Sequence, residues 1–132
     1  MVPAETPTWA LGVGKPEHVV ACAALGYDLF DCVLPTRDAR HRRLYAFRGD
    51  PESVSLDDGG FYDMVHIQDR KYVRDGAPVG AHCDCACCAG YSRAYLHHLF
   101  HIGDALAPRL ATIHNLRFYT QLTERLRRRP PG

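Results

Sequence analysis

No stretch of the 132-residue sequence approaches the ~18 consecutive apolar residues that a membrane-spanning helix needs. No membrane partner is therefore expected. A dominant charge sign is missing as well. Sixteen Lys and Arg face fifteen Asp and Glu, for a net charge of +1. Any attraction to nucleic acid must come from local patches rather than from the field of the whole chain. The sequence also lacks the signature of disorder, because 46% of it is hydrophobic and only 23% charged. No apolar stretch flanked by Lys or Arg opens the chain, so no secretory signal is expected. The length suits one soluble domain of about 100–150 residues.

Cysteine and histidine are abundant instead, with six and eight copies. Cys22 and Cys32 stand apart, while Cys83, Cys85, Cys87 and Cys88 crowd into six positions. Neighbours that close cannot all pair as disulfides, whose geometry demands particular Cα separations and directions. Without a secretory signal the cluster reads as metal binding in a reducing, cytoplasmic compartment. Cys83, Cys85 and Cys88 form C-x-C-x-x-C, and a tetrahedral zinc site needs a fourth ligand. Several histidines compete for it, and proximity in sequence favours His82 or the His97, His98, His101 group over His114. Three Cys and one His complete four-coordination, which implies a structural Zn²⁺ rather than a catalytic one. Cys87 is then a spare or a substitute ligand. The alternative is a set of reduced thiols with no metal.

The pattern along the chain is mixed α/β. Trp9 to Gly14 is a short apolar run ending in glycines and predicts a buried strand and turn. Pro16 suits the first helical position, Glu17 adds a favourable charge there, and Gly26 stops the helix. Tyr27 to Leu34 predicts a second strand, ended by Pro35. Strand, helix and strand joined by short loops suggest a parallel βα unit. Arg37, Arg40, Arg42, Arg43 and Arg48 form a basic run. Asp57 to Gly60 marks a turn, and Tyr62 to Val73 predicts short strands. Tyr91 to Ile102 predicts a helix with Tyr95, Leu96, Leu99 and Phe100 on one side. Gly103 breaks it and Asp104 caps the next. Leu106, Leu110, Ile113, Leu116, Tyr119, Leu122 and Leu126 then predict the apolar stripe of a long helix, whose first turn Pro108 should weaken. Residues 127–132 predict a basic, frayed tail.

Asp31 is out of place inside Leu29-Phe30-Asp31-Cys32-Val33-Leu34. Aspartate is depleted in strands, and a buried carboxylate needs partners. The C-terminal end of a parallel strand is a common catalytic position in βα barrels. The alternative is a structural ion pair to Arg37 or Arg40. Asp28 competes, but it lies at the strand start, where solvation is easier.

Five ordered motifs together carry a specific resemblance. They are Phe30 to Arg37, Ala39-Arg40-His41, Cys83-Asp84-Cys85-x-x-Cys88, Tyr91-Ser92-Arg93-Ala94-Tyr95-Leu96-x-His98-Leu99-Phe100, and Ile113-His114-Asn115-Leu116-Arg117-Phe118-Tyr119. With Leu11 to Glu17 before them, they resemble the bacterial-type tRNA-guanine transglycosylases, or queuine tRNA-ribosyltransferases, from about Trp9 to Arg125. The resemblance implies the C-terminal part of a (β/α)8 TIM barrel with an inserted zinc-binding subdomain. Residues 1–40 would be a barrel strand–helix–strand, 41–82 an insert of short strands and loops, and 83–129 the zinc knuckle and closing helices. It implies exchange of the wobble guanine of tRNA for a 7-deazaguanine base, prequeuosine-1 in bacteria. Asp31 would be the nucleophile that forms a covalent ribosyl ester. Arg37 and Arg40 would bind tRNA, and Leu11 and Gly12 would line the base pocket. Cys83, Cys85, Cys88 and His114 would bind zinc. Homodimerisation near the zinc region is implied too.

The departures are informative. Arg42 and Arg43 follow His41 where the family usually carries Gly. Gly49 to Asp63 looks like an insertion, and Cys87 and Pro108 replace ordinary residues. The family's second catalytic aspartate, its base-recognition glycines and most barrel strands belong to an N-terminal half that this sequence does not contain. Two strands cannot close a barrel. The expectation is therefore an enzyme fragment or split subunit that needs an N-terminal partner. The competing expectation is a non-catalytic, zinc-stabilised tRNA-binding or dimerisation module.

Overall fold

The computed structural model describes residues 1–57 and 59–129. Asp58 of the expected turn and residues 130–132 of the expected tail lie outside them.

Two short parallel strands open the fold. β1 (Trp9–Ala10) pairs with β2 (Leu29–Phe30) in the register Trp9↔Leu29 and Ala10↔Phe30. Helix α1 (Pro16–Ala24) connects them. It starts as the sequence predicts, with Pro16 in the first turn and Glu17 beside the unpaired N–H groups. It ends before Gly26, whose φ of +97° few other residues adopt. The second strand is much shorter than expected. It stops at Phe30, and helix α2 (Leu34–Arg40) begins four residues later. Pro35 therefore starts a helix as well as ending a strand. Its missing N–H falls in the first turn, where no intrahelical partner exists.

Arg42 follows α2 with φ +64°, and it is the one non-glycine residue at positive φ among the described residues. The left-handed region costs an L-residue about 1–2 kcal/mol. This is the position after His41 at which the resemblance leads one to expect glycine. The arginine gains local contacts in return. Its Nη1 donates to Gln68 Oε1 at 3.0 Å, and its guanidinium lies 5.9 Å from the Phe100 ring centre.

β3 (Arg43–Phe47) then pairs antiparallel with β4 (Tyr62–His66), from Arg43↔His66 to Phe47↔Tyr62. A single 3-10 turn follows at Arg70–Tyr72 in place of further strand. α3 (Ala86–Gly90) carries part of the cysteine cluster. α4 (Arg93–His101) starts two residues later than Tyr91, because the Ser92 hydroxyl accepts from Tyr95 N at 3.1 Å and caps it. α5 (Leu106–Arg127) tolerates Pro108 in its first turn, and the Asp104 carboxylate accepts from Leu106 N at 2.8 Å. After α5, Arg128 and Arg129 form ion pairs with Glu52 and Asp57 rather than fraying.

α5 unites two cores. Leu110 and Ala111 pack with Leu44, Val65, Ile67, Leu96, Leu99 and Phe100. About two turns further on, Phe118 and Leu122 pack with Val19, Val20, Tyr45, Leu56 and Phe61. Each Val, Leu, Ile or Phe among them contributes roughly 1.5–3 kcal/mol on burial. The buried stripe is not the one that apolar spacing predicts. Leu116 is 46% exposed, whereas His114 and Asn115 are buried.

Asn115 is fully satisfied. Its Oδ1 accepts from Tyr45 N at 3.1 Å, and its Nδ2 donates to Pro35 O and Arg43 O, each at 3.0 Å. One side chain thus ties α5 to α2 and β3. Asn115→Leu would leave Tyr45 N and Arg43 O without that partner, at roughly 1–3 kcal/mol each before relaxation, and would take the side-chain donor from Pro35 O. A loss of about 3 kcal/mol or more is expected, read as a lower urea midpoint at unchanged m-value.

Candidate metal centre and strand-end carboxylate

Cys83, Cys85, Cys88 and His114 converge, with all four ligand atoms within 4.8 Å of one another. His114 Nδ1 lies 3.6 Å from Cys83 Sγ, 3.7 Å from Cys85 Sγ and 3.2 Å from Cys88 Sγ. A tetrahedral ion with Zn–S near 2.3 Å and Zn–N near 2.05 Å has N···S edges of about 3.6 Å. The His114-to-sulfur distances therefore suit a tetrahedral donor set. His82 is exposed, and His97 Nδ1 contacts Ile67 O at 2.7 Å. The histidines nearer in sequence are thus not in the cluster.

The surroundings orient these ligands. His114 Nε2 lies 2.6 Å from Tyr45 O, so its N–H donates there and Nδ1 faces the sulfurs. Gly80 N donates to Cys88 Sγ at 3.4 Å and Cys88 N to Cys85 Sγ at 3.3 Å. Such N–H···S bonds favour thiolates. A Cβ on Gly80 would sit 3.2 Å from Cys83 Cβ and 3.4 Å from His114 Cε1, so glycine suits this approach. Hydrogen bonds from Cys83, Cys87 and Cys88 lower the Cys85 pKa, while the bond to Cys85 raises that of Cys83. Burial alone would lower the His114 pKa, but its bonds to Cys83 and Cys85 outweigh that and raise it to about 9. Proton and metal compete for the same atoms, so metal uptake must release protons. Cys87 is fully buried and hydrogen-bonds Cys85 from outside the four-atom cluster.

Asp31 lies one residue beyond β2 and is exposed, contrary to the buried carboxylate expected there. Among the described residues β2 pairs with β1 alone. Nor does Asp31 form an ion pair with Arg37 or Arg40 among those residues. Its Oδ1 accepts from Trp9 Nε1 and from Gly12 N, both at 3.0 Å. Its Oδ2 has no hydrogen-bond partner among the described residues. Asp28, the competitor, accepts from Thr8 N at 2.9 Å and is an anchor for β1.

Asp31 lines an open cleft of about 490 Å³ with Gly12, Lys15, His18, Cys32 and Arg37. Gly12 takes φ +70°, which lets its N–H turn towards Asp31. Leu11 beside it is 71% exposed. Arg40 is exposed at the far end of α2 and, like Arg37, has no ion-pair partner among the described residues. Sequence reasoning missed Trp9 and Asn115. Trp9, the single tryptophan, reads as strand core from its apolar run but is 56% exposed with its N–H on Asp31.

A sequence model of the queuine tRNA-ribosyltransferase family matches residues 1–129. The chain belongs to the queuine tRNA-ribosyltransferase family. The queuine tRNA-ribosyltransferase of Mannheimia succiniciproducens is 42% identical over 127 residues, covering 96% of this chain and 30% of the relative. That of Acinetobacter baylyi is 41% identical over 126 residues, covering 96% of this chain and 29% of the relative. The chain thus spans about 30% of the length of these curated family members, in their C-terminal part. The Cys83/Cys85/Cys88/His114 cluster is consistent with a metal site of that family. No helix among the described residues is long and apolar enough to cross a membrane.

Proposed function

We propose that this chain supplies the nucleophile-bearing part of a tRNA-guanine transglycosylase. The observation that carries the reading is Asp31 at an open cleft, with Oδ1 held by two N–H donors and Oδ2 free. Oδ2 attacks C1′ of the target ribose. The C1′–N9 bond breaks, and guanine leaves with the bonding pair and takes up a proton. A covalent ribosyl ester remains on Asp31. The incoming 7-deazaguanine base attacks C1′ from the vacated face, loses its proton, and returns the carboxylate. Two displacements at one carbon retain configuration. The target base must leave its stack to be reached. The Trp9 and Gly12 donors orient the carboxylate and disperse charge on Oδ1.

β1 and β2 would be two neighbouring strands of a (β/α)8 barrel, within a 1–40 segment. Residues 41–82 would form an insert, and 83–129 the knuckle and closing helices. Leu11 and Gly12 would border the base. Cys83, Cys85, Cys88 and His114 would hold Zn²⁺, which supplies a structural cross-link. The other strands, the second acidic residue and the rest of the base pocket would come from an N-terminal region, in the same polypeptide or in a partner subunit. The chain alone would be inactive, and the assembled enzyme would be a cytoplasmic homodimer.

The test mixes this chain with the N-terminal two thirds of the Mannheimia relative and follows radiolabelled guanine exchange into tRNA. Exchange that needs both parts supports the reading. A well-folded complex that binds tRNA without exchange favours the non-catalytic binding module. Arg37 and Arg40 are proposed phosphate contacts. Each neutralised phosphate contributes about 0.7–0.9 to the slope of log affinity against log salt. Replacing both arginines by alanine is expected to shrink that slope by about 1.5 in filter binding of tRNA by the same complex.

A further inference from the structure

We propose that Tyr119 is a positioning residue for Asp31, acting through the loop between β1 and α1. The Tyr119 hydroxyl donates to Gly14 O at 2.7 Å, across 105 residues of sequence. Gly14 is clasped from its other side too. A Cβ there would lie 2.4 Å from both Cβ and Sγ of Cys32, the residue after Asp31. The loop is therefore fixed between α5 and the end of β2. Two residues upstream, Gly12 N donates to Asp31 Oδ1, and Trp9 at the loop's root donates to the same oxygen. A displacement of Gly14 by a few tenths of an ångström is transmitted over two peptide units to a 3.0 Å contact.

The phenol is itself braced. Its ring meets Tyr45 edge-on at 5.3 Å and Phe118 at 5.6 Å. Tyr45 is 2% exposed and donates its hydroxyl to Asp38. Arg43 Nη2 clamps Asp38 at 2.7 Å. Tyr119 thus stands on a buried, satisfied network rather than on a surface rotamer. That network explains a tyrosine in a partly buried stripe where phenylalanine would fill the same space. Its relevance to chemistry rests on the reading of Asp31 as nucleophile, whereas the geometric claim does not.

The test needs no turnover. Trp9 is the only tryptophan, so its indole N–H gives a single resonance in the zinc-supplemented full chain. Asp31→Asn is expected to move the Trp9 indole and Gly12 amide resonances, which establishes both as reporters. Tyr119→Phe keeps the ring and removes the hydroxyl, with its bonds to Gly14 O and to the Tyr45 side chain. It is expected to move the same two resonances and to speed Gly12 amide exchange at least tenfold. The absorption of Co²⁺ placed in the Cys–His cluster should stay as in the parent. Unmoved reporters in Tyr119→Phe overturn the proposal, as do changes that appear only together with loss of the Co²⁺ spectrum. Should Tyr119→Phe not fold, tyrosine-labelled parent protein decides. A Tyr119 hydroxyl proton slow to exchange and close to Gly14 supports the proposal, and a rapidly exchanging one overturns it. Absence of guanine exchange in the reconstituted complex would defeat the proposed function and leave these spectra unaffected.

Discussion

His114→Ala is expected to abolish tight metal binding and to unfold the cysteine-rich half of the chain at 25 °C. The expected loss exceeds 5 kcal/mol. Structural zinc in small domains contributes about 10–16 kcal/mol at neutral pH, and domain stability is only about 5–15 kcal/mol. The geometry gives the reason. Three ligands come from the Cys83–Cys88 segment at the start of α3 and one from α5, so a bound ion would staple one to the other. His114 also bonds Tyr45 O and thereby fixes β3. The substitution removes a ligand, that bond and a buried ring together. Chelator treatment of the parent chain is expected to reproduce the unfolding. His114→Cys restores four ligands but not the Tyr45 bond, so it should bind metal with reduced stability. Cys87→Ser is expected to keep one metal per chain. Metal stoichiometry by mass spectrometry under native conditions, with far-UV circular dichroism, checks all four.

Asp31→Asn is the second large effect. In the reconstituted complex it is expected to lower guanine exchange at least ~10³-fold with tRNA affinity almost unchanged. The amide keeps the size and can still accept from Trp9 and Gly12, but it cannot form the ester. An effect confined to the rate, not to binding, is what loss of a transition-state interaction produces. Trp9→Phe leaves the nucleophile and removes one of two donors, so a smaller loss of about tenfold is expected. A Trp9→Phe effect equal to that of Asp31→Asn would mean that the carboxylate serves only to anchor the tryptophan.

The parts legible in the sequence are those governed by local chemistry. Pro16, Glu17 and Gly26 announce α1 at both ends, and C-x-C-x-x-C announces a metal site. Spacing could not choose His114. It lies far from the cysteines in sequence, only the family resemblance singles it out, and α5 brings it to them in the fold. The basic run concealed β3, because Leu44, Tyr45 and Ala46 are all buried and leave no alternation to read. Apolar spacing misplaced the inner face of α5, because a ligand and a hydrogen-bonding asparagine occupy it and Leu116 faces out. Asp31 was found by its incongruity in an apolar run. Its exposure and its donors were not legible, since Trp9, Gly12 and Tyr119 reach it, directly or through Gly14, only once the chain is folded.

The most direct test of the central claim is to trap the reaction in the reconstituted complex and locate the bond. The complex is incubated with tRNA, denatured under acidic conditions that preserve esters, digested, and read by mass spectrometry. One ribosyl adduct is expected, on the peptide containing Asp31 and absent from Asp31→Asn. An adduct on any other residue, or one that survives Asp31→Asn, would contradict the claim.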